Sequence, residues 1–144
     1  MHENRNQEYV VLELKITLPE GDNTMKLIKV AKIAREPNSG KLFTGTVTMQ
    51  PVIGKELSKN LVIAKVNFGP GVRNKFHSHS SEQILFVTKG KGIVATEKER
   101  KTVVVGDIIY IPPCEKHWHG AAEGSKFSHL YIMSPDSKTT QIEY

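Results

Sequence analysis

The stretch His77-Ser78-His79-Ser80-Ser81-Glu82-Gln83-Ile84-Leu85-Phe86-Val87-Thr88-Lys89-Gly90-Lys91-Gly92 opens on two histidines one residue apart, runs into an apolar segment and ends among glycines. Residues i and i+2 of a strand point to one side, so His77 and His79 project their imidazoles together. By the same period Gln83, Leu85 and Val87 share a face of the strand that follows. Two imidazoles on one face can chelate. Imidazole suits zinc, copper, iron and nickel, whereas an amide oxygen is a harder ligand nearer to what manganese accepts. A competent site needs a third histidine, and CEKHWHG (114–120) supplies His117 and His119 just after the strand and turn of IIYIPP (108–113). Any one of the six histidines, taken alone, reads as a surface or core residue. Two His-x-His pairs beside glycine- and proline-marked turns in one small chain read instead as a metal site.

Outward from this stretch, strand signals dominate. β-Branched and aromatic runs recur as YVVLELKI (9–16), LFTGTVTM (42–49), NLVIAKVNF (60–68), QILFVT (83–88), GIVATE (92–97), KTVVV (101–105), DIIYI (107–111) and FSHLYIM (127–133). No segment sustains an apolar stripe of helical period beyond about two turns. Short spacers such as KGKG, EKERK and VGD predict consecutive antiparallel hairpins, and so many short strands predict an all-β sandwich or rolled-up barrel. PEGDN (19–23) reads as a turn that detaches the first run from the rest. Residues 1–24 are therefore expected to be an N-terminal extension or an added edge strand, with the main domain over 25–144.

At 144 residues the chain fits one domain with a sizeable core. Its formal charge of +5 is spread along the sequence rather than gathered into a stripe with interleaved aromatics, which argues against nucleic acid as a partner. No apolar run approaches the roughly 20 residues of a membrane span. The start, MHENRNQEYVV, lacks a basic region, apolar core and cleavage site, and Cys114 is the single cysteine, so a cytoplasmic, reducing location is expected. Neither Cys114 nor Asp107 is expected to be catalytic; both read as turn residues.

These residues resemble the cupin family. Its first motif (glycine, five residues, His-x-His, three or four residues, glutamate, six residues, glycine) is matched by Gly71, VRNKF, His77-Ser78-His79, SSE, Gln83, ILFVTK and Gly90. Its second (glycine, five residues, Pro-x-Gly, two residues, histidine, three residues, asparagine) is matched by Gly106, DIIYI, Pro112-Pro113-Cys114, EK, His117, WHG and Ala121. Three positions depart from the pattern: Gln83 replaces glutamate, Cys114 a turn glycine and Ala121 asparagine. With FTGTV (43–47) and FSHL (127–130), the similarity runs from about Lys41 to Met133. It is strongest to a branch that includes manganese-dependent hydroxynitrile lyase-like cupins and proteins labelled carboxymuconolactone decarboxylase-like or quercetinase-like.

The resemblance implies a double-stranded β-helix, or jelly-roll barrel, with His77, His79, Gln83 and His117 as ligands of a divalent transition metal. That metal is manganese by likeness, with iron, nickel, zinc and cobalt as alternatives. Glu82 points to the opposite face of a regular strand, and a bulge would exchange it with Gln83. With Gln83 the ligand set is neutral, which leaves the full charge of a dication for an anionic or polarised oxygen ligand. His119 and His129 are implied as acid/base groups; the alternatives are a rim residue for His119 and a buried structural histidine for His129. Phe43, Ala64, Val66, Leu85, Val87, Tyr131 and Met133 are expected to shape an apolar substrate pocket, while Trp118 packs between sheets. Three functions follow as expectations. The first is lyase or isomerase chemistry on a small hydroxy or carbonyl compound, the second an Fe(II)-dependent dioxygenase, and the third a non-catalytic small-molecule-binding barrel. A homodimer is expected in each case.

Overall fold

The computed structural model describes residues 24–144. The expected strand in YVVLELKI lies outside them. Ten strands follow in chain order: β1 (Glu36–Asn38), β2 (Val47–Ile53), β3 (Val62–Phe68), β4 (His77–His79), β5 (Gln83–Thr96), β6 (Arg100–Val104), β7 (Ile108–Ile111), β8 (His117–Ala121), β9 (Phe127–Met133) and β10 (Thr139–Gln141). All pairings are antiparallel, in the order β1-β2-β3-β9-β5-β8-β4-β10, with β6 and β7 also on β5. The curled sheet is the expected all-β jelly roll. The one helical segment among the described residues is a 3-10 turn at Val30–Lys32, and no helix there is long and apolar enough to cross a membrane.

The spacer Lys89-Gly90-Lys91-Gly92 does not close a hairpin. QILFVT and GIVATE are one continuous strand, β5, whose first half pairs with β7 and β9 and whose second half pairs with β6 and β8. The register on β9 shifts between Val87 and Lys89, just before Gly90 takes a φ of 69°. A Cβ at Gly90 would collide with the carbonyl oxygen of Lys126, and one at Gly92 with the ring of Phe127. Both glycines therefore let β5 bend from one half of the roll into the other against β9, which no turn chemistry in the sequence requires. The EKERK spacer does turn the chain, between β5 and β6.

Inward positions of β2, β3, β5, β8 and β9 meet in a core of Val47, Val66, Phe68, Val87, Ala121 and Phe127, joined by Val103 of β6. Polar groups on the other face of β3 and β9 are paired. Ser128 donates to Asn67 Oδ1 at 2.8 Å, Asn67 donates to Gln50 Oε1 at 3.1 Å, and the Gln50 amide donates to the Val30 and Ile33 carbonyls. This chain of bonds satisfies buried amides that would otherwise carry a desolvation penalty. It also pins the 3-10 turn onto the sheet.

Candidate metal centre and cavity

Three strand termini bring the histidines together. β4 holds His77 and His79 on one face, and β8 sets His117 directly opposite His77 across the ladder. Their ring centroids lie 4.4–5.4 Å apart, and one ring nitrogen of each falls within 4.8 Å of the others. Gln83, the first residue of β5, is buried on the same side, whereas Glu82 is exposed and accepts a hydrogen bond from the Tyr110 hydroxyl at 3.0 Å. The strand is regular there, so no bulge exchanges the two.

Hydrogen bonding aims the four side chains. His77 Nδ1–H donates to the Lys75 carbonyl at 2.6 Å and His117 Nδ1–H to the Glu115 carbonyl at 2.8 Å. His79 Nδ1 pairs with Thr139 Oγ1 at 2.9 Å. With Nδ1 engaged, each ring presents Nε2, and the outer partner sets both tautomer and orientation. The Gln83 amide nitrogen lies 3.9 Å from Met133 Sδ, which leaves its oxygen to face inward. His79 Nε2, His117 Nε2 and Gln83 Oε1 are the buried side-chain atoms without a hydrogen-bond partner among the described residues. Native interiors rarely leave such groups unpaired, and a cation satisfies acceptors of this kind together. The arrangement therefore fits a divalent metal ion on three imidazoles, with the amide oxygen placed to join them.

Burial keeps these imidazoles neutral, which is the ligating form. It pushes His77 down to about 3 and His79 to about 4, helped in both by His117, while His117 is lowered by its own burial.

Beside the centre lies a cavity of about 220 Å³, lined by His77, His79, Gln83, His119, Asn74 and a largely apolar wall that includes Phe43, Met49, Val66, Phe68, Tyr131 and Met133. Ala64, Leu85 and Val87, expected on that wall, are instead packed in the interior. Along β5, Gln83 lies opposite Met133, whereas Val87 lies opposite His129 and belongs to the core filled by Phe127. A larger groove of about 590 Å³ runs between Val94, Lys98, Tyr110 and Trp118 and meets the centre only at His117. Trp118 is buried. Its ring lies under the guanidinium groups of Arg73 and Arg100, 4.7 and 4.9 Å away.

His119 and His129 form a pair whose roles differ. Only His119 reaches the cavity; His129 is fully buried behind it, with its Nε2 3.0 Å from His119 Nδ1. Burial lowers both, to about 4 for His129, while His119 is depressed well below the ordinary value by burial and then by His129. Asn74 completes the group, accepting the His119 backbone N–H at 2.8 Å and placing its amide nitrogen 3.2 Å from His119 Nε2. Reading the sequence missed Asn74 and Thr139. Asn74 stands within a variable spacer of the first motif, and Thr139 is distant in sequence from the ring it touches. A buried asparagine three residues before His77 has no period or spacing to betray it.

Comparison with known proteins agrees with this fold. Residues 64–133 match the Cupin domain. The chain is 35% identical over 110 residues to the (R)-mandelonitrile lyase of Granulicella tundricola, covering 76% of this chain and 84% of that enzyme. The chain belongs to the cupin family. Among solved structures, this cupin is similar to a cupin-like protein of Thermotoga maritima, with a TM-score of 0.72 and 31% identity over 78% of this chain and 88% of that one. It also shares its fold with a polyketide cyclase of Streptomyces resistomycificus, with a TM-score of 0.75 at 17% identity over 84% and 87% of the two chains.

Proposed function

We propose that this cupin is a metal-dependent enzyme of the lyase type that acts on a small hydroxy or carbonyl compound. Supporting it is the convergence of His79 Nε2, His117 Nε2 and Gln83 Oε1, all buried and unpaired, beside an apolar cavity that also exposes His119. His77, His79, Gln83 and His117 would hold a divalent transition metal, manganese by likeness to hydroxynitrile lyase-like cupins. Such an ion supplies Lewis-acid polarisation of a substrate oxygen.

The chain's own residues account for the rest. At about 220 Å³ the cavity is smaller than the roughly 300–1,000 Å³ of drug-sized sites, so it selects a small molecule. Phe43, Phe68 and Met133 offer an apolar seat and exclude water. Burial raises the Tyr131 hydroxyl, which stays protonated and available as a donor. His119, kept neutral by burial, would take a proton from a substrate hydroxyl at Nε2 by exchanging the hydrogen bond that the Asn74 amide donates to that atom at 3.2 Å, while His129 accepts its Nδ1–H and steadies the charge that develops. With a cyanohydrin, the substrate class of the Granulicella tundricola relative, removal of the hydroxyl proton would accompany C–C cleavage. The products are an aldehyde and cyanide, which leaves with the bonding pair and recovers the proton.

The test combines elemental analysis of protein purified without chelator or affinity-metal resin, a His77→Ala control, and turnover of mandelonitrile with oxygen monitored. Near-stoichiometric metal lost in the control, together with oxygen-independent cleavage, is expected. Oxygen uptake that requires Fe(II) would replace this reading with a dioxygenase. Protein that cannot be loaded with any divalent ion would leave a small-molecule-binding barrel.

We also propose that two copies pair through the outer face of β5 and β7, where Phe86 lies opposite Ile108 and Ile84 opposite Tyr110. Ile108 and Tyr110 are 67% and 60% exposed, an apolar patch that favours cover. Sedimentation of the wild type as a dimer, and of Ile108→Lys as a monomer, is the expected result.

A further inference from the structure

We infer that Thr139, carried by the C-terminal strand, sets the tautomer of His79 and thereby how tightly the three-histidine centre holds a divalent ion. This rests on the metal reading above.

The three ligand imidazoles are not held alike. His77 and His117 meet backbone carbonyls, which only accept, so Nδ1 must carry the proton and Nε2 the lone pair. His79 alone meets a side-chain hydroxyl, Thr139 Oγ1 at 2.9 Å, which can accept or donate. When the hydroxyl accepts, His79 Nε2 is free to ligate. When it donates, the proton sits on Nε2 and the ring cannot ligate through that atom. Ion binding therefore selects one of two states at His79 and none at the other two rings.

Thr139 reaches His79 because β10 zips along β4, pairing Thr139 with His79 and Gln141 with His77. The far end of this strap is fastened by Glu143, whose carboxylate accepts two bonds from Arg73, at 2.9 and 3.1 Å, and one from the Phe76 backbone N–H at 3.0 Å. Thr139 itself is exposed on the strap, so changing its hydroxyl leaves the core intact.

The test is titration of metal-free, full-length protein with Mn(II) or Co(II), comparing wild type, Thr139→Val and Thr139→Ser, with melting temperature and imidazole nitrogen shifts recorded before metal is added. Valine keeps the shape and β propensity but removes the acceptor. Thr139→Val should bind the ion about 10- to 100-fold more weakly, and Thr139→Ser should recover the wild-type affinity. The metal-free melting temperature should not move. In the nitrogen spectra His79 alone should change tautomer populations, with His77 and His117 unchanged. Equal affinity in wild type and Thr139→Val overturns the inference while leaving the metal centre standing. A weakened Thr139→Val that melts earlier and is not rescued by serine also overturns it, since that pattern is general loosening. Wild type that binds no divalent ion overturns the centre itself and this inference with it.

Discussion

His129 Nε2 lies 3.0 Å from His119 Nδ1, and the other nitrogen of His129 faces the Leu130 carbonyl at 3.2 Å. The carbonyl only accepts, so His129 carries its proton on Nδ1 and offers a lone pair at Nε2. His119 must then donate from Nδ1, which leaves its own Nε2 as the proton acceptor. One backbone carbonyl thus dictates the state of a cavity histidine through a second ring. On the proposed chemistry, His119→Ala lowers turnover by about 100-fold or more. His129→Leu loses a substantial part of that while metal content is unchanged. Steady-state kinetics beside elemental analysis check both, and full activity in His119→Ala would remove it from the mechanism.

Gln83 Oε1 is buried and unpaired although its amide nitrogen rests on Met133 Sδ. Gln83→Glu places an anion where the amide oxygen stands and should tighten divalent-ion binding about tenfold, close to 1.4 kcal/mol. Gln83→Leu should weaken it by at least a similar factor. Titration calorimetry reads both, and unchanged affinity in Gln83→Leu would confine the ligand set to the three histidines.

Acid should destabilise the metal-free protein. His77 is lowered from 6.5 to about 3 and His129 from 6.5 to about 4, in each case chiefly by burial. Below about pH 6.5 the unfolded chain takes up protons that the folded chain does not, so stability present above that pH is lost as pH falls toward 4. Each of these two rings contributes up to about 1.4 kcal/mol per pH unit inside its window. Urea midpoints measured across that range should fall, and saturation with a divalent ion should move the fall to lower pH because it binds the neutral rings. A flat profile would contradict the burial of these histidines.

Cys114 has a φ of 66°, the one non-glycine residue with positive φ among those described. It stands at the turn where the family pattern has glycine, and its N–H donates to the His79 carbonyl at 2.8 Å, so the backbone is held in place. An L residue in the left-handed region costs about 1–2 kcal/mol. Cys114→Gly should therefore stabilise the protein by about 1 kcal/mol after allowance for glycine's greater unfolded freedom. Cys114→Val should destabilise it by more than that. Thermal melting decides, and a lower melting temperature for the glycine variant would refute strain at this turn.

Much of the fold was legible because strand side chains alternate. FSHLYIM and NLVIAKVNF each became a strand with the expected face inward, DIIYI became a strand, and the two His-x-His pairs brought their imidazoles to one side of the roll. The same alternation put Gln83 inside and Glu82 outside. It could not reveal that Lys89-Gly90-Lys91-Gly92 bends a single strand, because the reason is the approach of Lys126 and Phe127 from β9. Nor could it separate Met133 on the cavity wall from Val87 in the core, since both are inward positions and only their place along the roll differs.

The sequence by itself determined most of the strands, the barrel class and the histidines that gather at the candidate metal centre, because a period of two and a one-residue spacing are local properties of the backbone. Only the tertiary structure decided what each nitrogen does. Thr139 reaches His79 across 60 positions, His129 stands behind His119, and Asn74 closes over that ring from 45 positions away. Tautomer and orientation are set by the partner on the far side of each imidazole, and that partner is chosen by strand pairing rather than by neighbours in the chain.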